Sequence, residues 1–97
     1  MKYEIRFPST SVEKKFYDEL HGFPEEFQER IYDEIEKLAD NPRPKGEPKI
    51  KPPTEVYNYT AQYRVRIGNV RVLYDVDDKR KIVWILAVRK RDERTYK

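Results

Sequence analysis

Three arginines flank one tight turn. In Tyr63 to Val76, YRVRIGNVRVLYDV, the apolar Tyr63, Val65 and Ile67 alternate with Arg64 and Arg66. Beyond Gly68-Asn69, Val70, Val72, Tyr74 and Val76 alternate with Arg71, Leu73 and Asp75. A period of two marks strands, and a two-residue Gly-Asn loop marks a hairpin, because both residues tolerate the positive φ of a primed turn. The loop also sets the register: Ile67 faces Val70, Arg66 faces Arg71 and Val65 faces Val72. One side of the ribbon is then apolar, while the other carries Arg64, Arg66 and Arg71. Like charges directly opposite each other are destabilising by some tenths of a kcal/mol, so an anion is expected between them. Guanidinium groups are permanently charged forks. They neutralise phosphate or carboxylate in bidentate fashion but do not transfer protons.

Two further groups of residues could join that chemistry. The tail RKRDERTYK brings Arg89, Lys90, Arg91, Arg94 and Tyr96 to the end of an apolar run, where a strand would aim them at a ligand on the arginine face. The plain alternative is a solvated, frayed terminus. Lys45, Lys49 and Lys51 precede Tyr57, Tyr59 and Tyr63, a mixture of cations and rings that could pair with phosphates and stack on bases. These tyrosines could equally sit at strand edges or cap a core.

Composition removes several chemistries. The absence of Cys excludes disulfides, thiolate catalysis and Cys-ligated metals, and a single His, His21, cannot make a zinc site. No Gly-rich phosphate loop or serine-nucleophile motif is present. Net charge is +3, unevenly spread: residues 1 to 48 hold 8 Lys/Arg against 12 Asp/Glu, and residues 49 to 97 hold 13 against 6. The basic half is the strand half, which suggests a polyanion on the sheet with an acidic helical end away from it. With no run of 18 apolar residues and no basic-then-apolar leader, the expectation is one domain, residues 1–97, in the cytoplasm with no membrane association.

The elements that must carry these residues follow in order. Tyr3, Ile5 and Phe7 alternate with polar residues in a short strand closed by Pro8. Thr10 and Glu13 have capping-box spacing, and Val12, Phe16 and Leu20 continue as a helix face. His21-Gly22 breaks it, and Pro24 opens a second helix with Phe23, Phe27, Ile31, Ile35 and Leu38 on one side. Together they predict a two-helix antiparallel hairpin covering a sheet. Asn41 to Pro53 holds five of the seven prolines and reads as an extended connection. Thr54 to Thr60 is a short strand or a loop. After the Arg-bearing hairpin comes a turn at Asp77-Asp78-Lys79-Arg80, and then Ile82 to Val88, apolar on both faces and therefore central. An odd loop would put Trp84 with Val72 and Tyr74 and Ala87 beneath Arg71, whereas an even loop would put Leu86 there. The fold class is α+β in the order β-α-α-β-β-β with an antiparallel sheet.

The Tyr63 to Tyr96 pattern, within this order of elements, resembles the RelE/ParE superfamily of toxins from type II toxin–antitoxin pairs. The resemblance implies a RelE-like fold. Its basic residues resemble the RelE branch, which implies a ribosome-dependent mRNA endoribonuclease that needs neither metal nor cofactor. In that chemistry a ribose 2′-OH attacks the adjacent phosphate, leaving a 2′,3′-cyclic phosphate and a 5′-OH. By resemblance the catalytic positions are Arg64, Arg66, Arg71, Arg91 and Tyr96, with Lys49, Lys51, Arg89, Lys90 and Arg94 binding substrate. Arg64 and Arg66 stand where the family has lysines, and arginine cannot readily accept the 2′-OH proton. The proton donor and acceptor would come from Tyr96 or Lys90. Implied partners are a RelB-like antitoxin, the ribosome and its A-site mRNA. Two alternatives are a ParE-like inhibitor of DNA gyrase and a non-toxic member that binds nucleic acid or a protein partner.

Overall fold

Ser9 begins the first helix, one residue before the expected cap. Its backbone is extended (φ −158°, ψ 162°) and its hydroxyl accepts the Val12 N–H at 3.1 Å, satisfying an amide that the first turn leaves unpaired. The computed structural model describes residues 2–44, 50 and 53–90. Strand β1 (Glu4–Arg6) leads to α1 (Thr10–Leu20), and the tight His21–Pro24 connection leads to α2 (Glu25–Asp40). Pro24 is the cap of α2, where its missing N–H is not needed, and Glu25 and Glu26 place negative charge at the positive end of the helix. No helix among the described residues is long and apolar enough to cross a membrane.

Thr54–Thr60, undecided between strand and loop by periodicity, holds β2 (Thr54–Val56), and β3 (Tyr59–Ala61) follows it in a small antiparallel ribbon of its own. The main sheet comprises β1 with β4 (Tyr63–Ile67), β5 (Val70–Asp77) and β6 (Ile82–Lys90), in the order β1-β6-β5-β4. Strands β4, β5 and β6 are antiparallel as expected, while β1 adds to β6 in parallel, Ile5 lying against Val83. β6 lies between β1 and β5 over Ile82–Trp84, and the run Ile82–Val88 contributes buried residues to clusters on both faces of the sheet, which explains its lack of a polar face.

Both helices turn their apolar stripes to one face of this sheet. Phe16, Leu20, Ile31, Ile35 and Leu38 share a buried cluster with Ile67, Val70, Val72, Tyr74, Val83, Ile85 and Val88. The other face carries a smaller cluster: Val56 and Ala61 of the β2–β3 ribbon lie against Leu73, Leu86 and Ala87, with Ile50 and Tyr59 at its margin. The 3-residue strands of that ribbon could not bury an apolar face alone, and the sheet supplies the surface.

The β5–β6 register combines both sequence alternatives. Near the turn Asp75 faces Trp84 and Tyr74 faces Ile85, the arrangement of an even loop. Beyond a bulge between Leu73 and Tyr74, Leu73 faces Ala87 and Arg71 faces Arg89, the arrangement of an odd one. Leu86 is the extra residue. One added residue on one strand switches the faces of everything beyond it.

Candidate nucleic-acid interface

The Gly68-Asn69 loop gives the hairpin the register read from the sequence, with Arg66 opposite Arg71, and its first residue has φ 62°. A positive φ at the first of two loop residues is the glycine position of a type II′ turn. Arg71 in turn faces Arg89 on β6, so Arg66, Arg71 and Arg89 form one row across three strands. Arg64, two residues from Arg66 on the same face, stands opposite Leu73. This face is the one turned away from the helices. The bulge at Leu86 brings Arg89 onto it.

The row is bounded on one side by the β2–β3 ribbon. That ribbon covers Leu73 and Ala87, each two residues from the Arg71–Arg89 pair. The backbone of Ile50 joins the same wall, its N–H donating to the Gln62 carbonyl at 2.7 Å. Arg64, Arg66 and Arg89 are exposed and Arg71 is half-buried. The ion pairs among the described residues are Arg6–Glu4, Lys14–Asp18, Lys37–Glu34, Arg43–Asp78 and Arg80–Asp77, none of which engages a member of the row. Four guanidinium groups on one face, with a packed wall beside them, can take the oxygens of a phosphodiester chain.

Lys90 does not join them. It faces Val70, whose side of the sheet is the helix-covered one, so its register directs it away from the arginines. Lys49, Lys51, Arg91, Arg94 and Tyr96 lie outside the described residues.

A second polar cluster holds the opposite end of the hairpin. Arg43 donates to both oxygens of Asp78, at 3.3 and 2.7 Å, and through Nε to the Tyr63 hydroxyl at 3.2 Å. Its guanidinium also lies 5.1 Å from the Tyr63 ring centroid, and Tyr63 stacks on Tyr74 at 5.7 Å. The Tyr3 hydroxyl donates to Asp78 at 2.6 Å, and the Tyr74 hydroxyl donates to the Pro42 carbonyl at 2.7 Å. Hydrogen bonds from Arg43 and Tyr3 hold the Asp78 carboxyl below the usual carboxylate range, and the bonds to Asp78 and Tyr63 raise Arg43 further. Burial is the main reason the Tyr74 hydroxyl is pushed up to about 12. This clasp ties the start of the proline-rich connection to the β5–β6 turn and to the first residue of β4. Nothing in the sequence signals it: Arg43 and Asp78 are 35 residues apart, in two turn-rich stretches.

A mixed sheet with both helices on one face and a row of arginines on the other defines a small α+β protein with a cationic sheet surface. The chain belongs to the ParE toxin family of type II toxin–antitoxin systems, whose model matches residues 10–95. Its fold is that of the RelE-like toxins. One similar solved structure is the archaeal RelE–RelB complex of Pyrococcus horikoshii, with 24% identity, TM-score 0.68, and 96% of this chain and 99% of that one covered. Another is the RelBE2 toxin–antitoxin complex of Mycobacterium tuberculosis, with 24% identity, TM-score 0.65 and 95% of each chain. The isolated RelE toxin of Escherichia coli is 17% identical, with TM-score 0.64 and coverage of 97% and 92%. No curated protein matches the sequence.

Proposed function

We propose that this protein is a toxin that cleaves mRNA on the ribosome, without metal, and that a cognate RelB-like antitoxin restrains it. The observation that carries this reading is the row Arg66–Arg71–Arg89, three permanent cations side by side with no carboxylate partner among the described residues. A scissile phosphate seated there gains negative charge on its non-bridging oxygens as the 2′-oxygen attacks. Charge-assisted hydrogen bonds from fixed guanidinium forks are strongest at that point. The P–O5′ bond breaks, giving a 2′,3′-cyclic phosphate and a 5′-OH. Arginine cannot serve as the base, and Lys90 belongs to the other face, so the proton transfers fall to Tyr96.

So few titratable groups make a weak catalyst on a flexible substrate. Holding the 2′-oxygen in line is worth about 7–11 kcal/mol in favourable cases, and a ribosome that presents the A-site codon supplies that alignment. The protein then acts in the cytoplasm. Arg91, Arg94, Lys49 and Lys51 extend the phosphate contacts in this reading, and an antitoxin that covers the arginine row blocks them all. The RelE–RelB complexes among the similar structures support such a partner.

A ParE-like action, binding DNA gyrase without cutting RNA, is the second reading, and the ParE family match favours it. One experiment separates the two. Controlled expression of the wild type and of the Arg71→Ala/Arg91→Ala double variant, with mRNA 5′ ends mapped on translating ribosomes, yields codon-positioned cuts in the wild type alone if the first reading holds. Growth arrest with DNA damage and intact mRNA would establish the second.

A further inference from the structure

Tyr57 occupies a position that suits glycine. It is the first residue of the two-residue loop between Val56 and Tyr59, with φ 57°, in the left-handed region where a Cβ is strained. The same position in the neighbouring two-residue loop is filled by Gly68, at φ 62°. Turn formation alone therefore does not call for a tyrosine.

Packing does not call for it either. The residue is 49% exposed, whereas Tyr63 and Tyr74 are buried in the core and Tyr3 is bonded to Asp78. The Tyr57 hydroxyl has no hydrogen-bond partner among the described residues. The Lys15 ammonium of α1 sits 5.1 Å from the Tyr57 ring centroid. The next lysine along the helix, Lys14, is paired with Asp18, while Lys15 has no ion pair among the described residues.

The position of the loop relates this ring to the arginines. Val56 is buried with Ala87 and Leu86, and Ala87 lies two residues from Arg89 on the same face of β6, a step of about 6.6–6.8 Å. Among the described residues, strand β1 pairs with β6 over Ile82 to Trp84 and not at the level of Leu86 and Ala87. The ribbon tip meets α1 through Tyr57 and Lys15. The ring thus belongs to the ribbon that walls the arginine row, on a loop that follows the buried Val56, which packs on the strand that carries Arg89.

We propose that Tyr57 is a stacking platform for one unpaired nucleobase, backed by Lys15, while the adjoining phosphates lie on Arg89, Arg71 and Arg66. This rests on the reading that the row binds RNA phosphates. An exposed ring on the ribbon that walls a line of cations matches single-stranded nucleic acid, in which each base offers a π-face and each link a charge. A strained conformation retained at a binding surface is a recurring functional feature.

The test measures binding of a labelled single-stranded oligoribonucleotide at low ionic strength, together with thermal unfolding, for the wild type, Y57N, Y57F and R71A. Asparagine tolerates the left-handed region, so Y57N keeps or raises the melting temperature while weakening binding roughly 5- to 100-fold. Y57F restores the affinity that Y57N loses, since stacking needs no hydroxyl. Removing the base at one position of the oligonucleotide weakens the wild type and leaves Y57N unchanged. If R71A weakens binding and Y57N does not, the platform is overturned and the phosphate row stands. If Y57N lowers the melting temperature along with affinity, the ring is structural and the proposal also fails. If R71A binds as tightly as the wild type, the reading of the row falls, and the platform falls with it.

Discussion

Arg66 and Arg71 face each other directly across β4 and β5, and the partner of Arg71 on its other side is a third arginine, Arg89. The arrangement works against folding and favours anion binding, so the two properties should separate on mutation. Arg71→Gln removes repulsion on both sides and is expected to leave stability unchanged or raise it by some tenths of a kcal/mol. The same change should weaken RNA binding and reduce the slope of log K against log salt by about 0.7, one phosphate contact on a single strand. Titrations at several salt concentrations measure both effects.

Gly68 carries the turn that sets this register. Its φ of 62° strains any side chain, and an added Cβ would come 3.3 Å from Cζ of Phe27, the α2 ring that packs beneath the turn. Gly68→Ala is expected to cost about 1–2 kcal/mol, or roughly 4–15 °C in melting temperature for a domain of this size. Calorimetry of the purified variant checks it.

Asp78 links acid stability to the clasp. Its carboxyl titrates below the usual range because Arg43 and Tyr3 donate to the charged form. A folded value lower than the unfolded one contributes stability above the unfolded value and loses it as pH falls through the folded one. Asp78→Asn should therefore melt earlier than the wild type at neutral pH, with the difference closing below the usual carboxylate range. Melting curves across that acidic window decide it.

Tyr74 gives the opposite sign at the alkaline end. Its hydroxyl, pushed up to about 12 mainly by burial, would have to lose both its proton and the bond to Pro42 to ionise. The stability it contributes is complete below the ordinary tyrosine value and is lost as pH rises toward about 12. Tyr74→Phe removes that dependence, at the expense of one buried hydrogen bond worth about 0.5–1.5 kcal/mol. Alkaline melting curves of the two proteins, with tyrosinate absorbance followed alongside, show the contrast.

Several features were legible because the chain settles them locally. The alternation from Tyr63 to Val76 and the two-residue loop leave one register, and the structure has it. Helix faces at Val12, Phe16 and Leu20, and at Ile31, Ile35 and Leu38, follow from spacing alone, and these residues are buried. The cap moved by one residue, from Thr10 to Ser9, because neighbouring hydroxyls compete and backbone geometry at the strand exit chooses between them.

Distance along the chain marks where sequence reasoning stopped. Local alternation and turn chemistry determined that Arg64, Arg66 and Arg71 share a face. Tertiary structure decided that Arg89 joins them, because the bulge at Leu86 depends on what lies against both sides of β6. It also brought Lys15 to Tyr57 and Arg43 to Asp78, across 42 and 35 residues. Periodicity reports which way a side chain points relative to its neighbours in sequence, whereas what it meets depends on packing of elements that share no local signal.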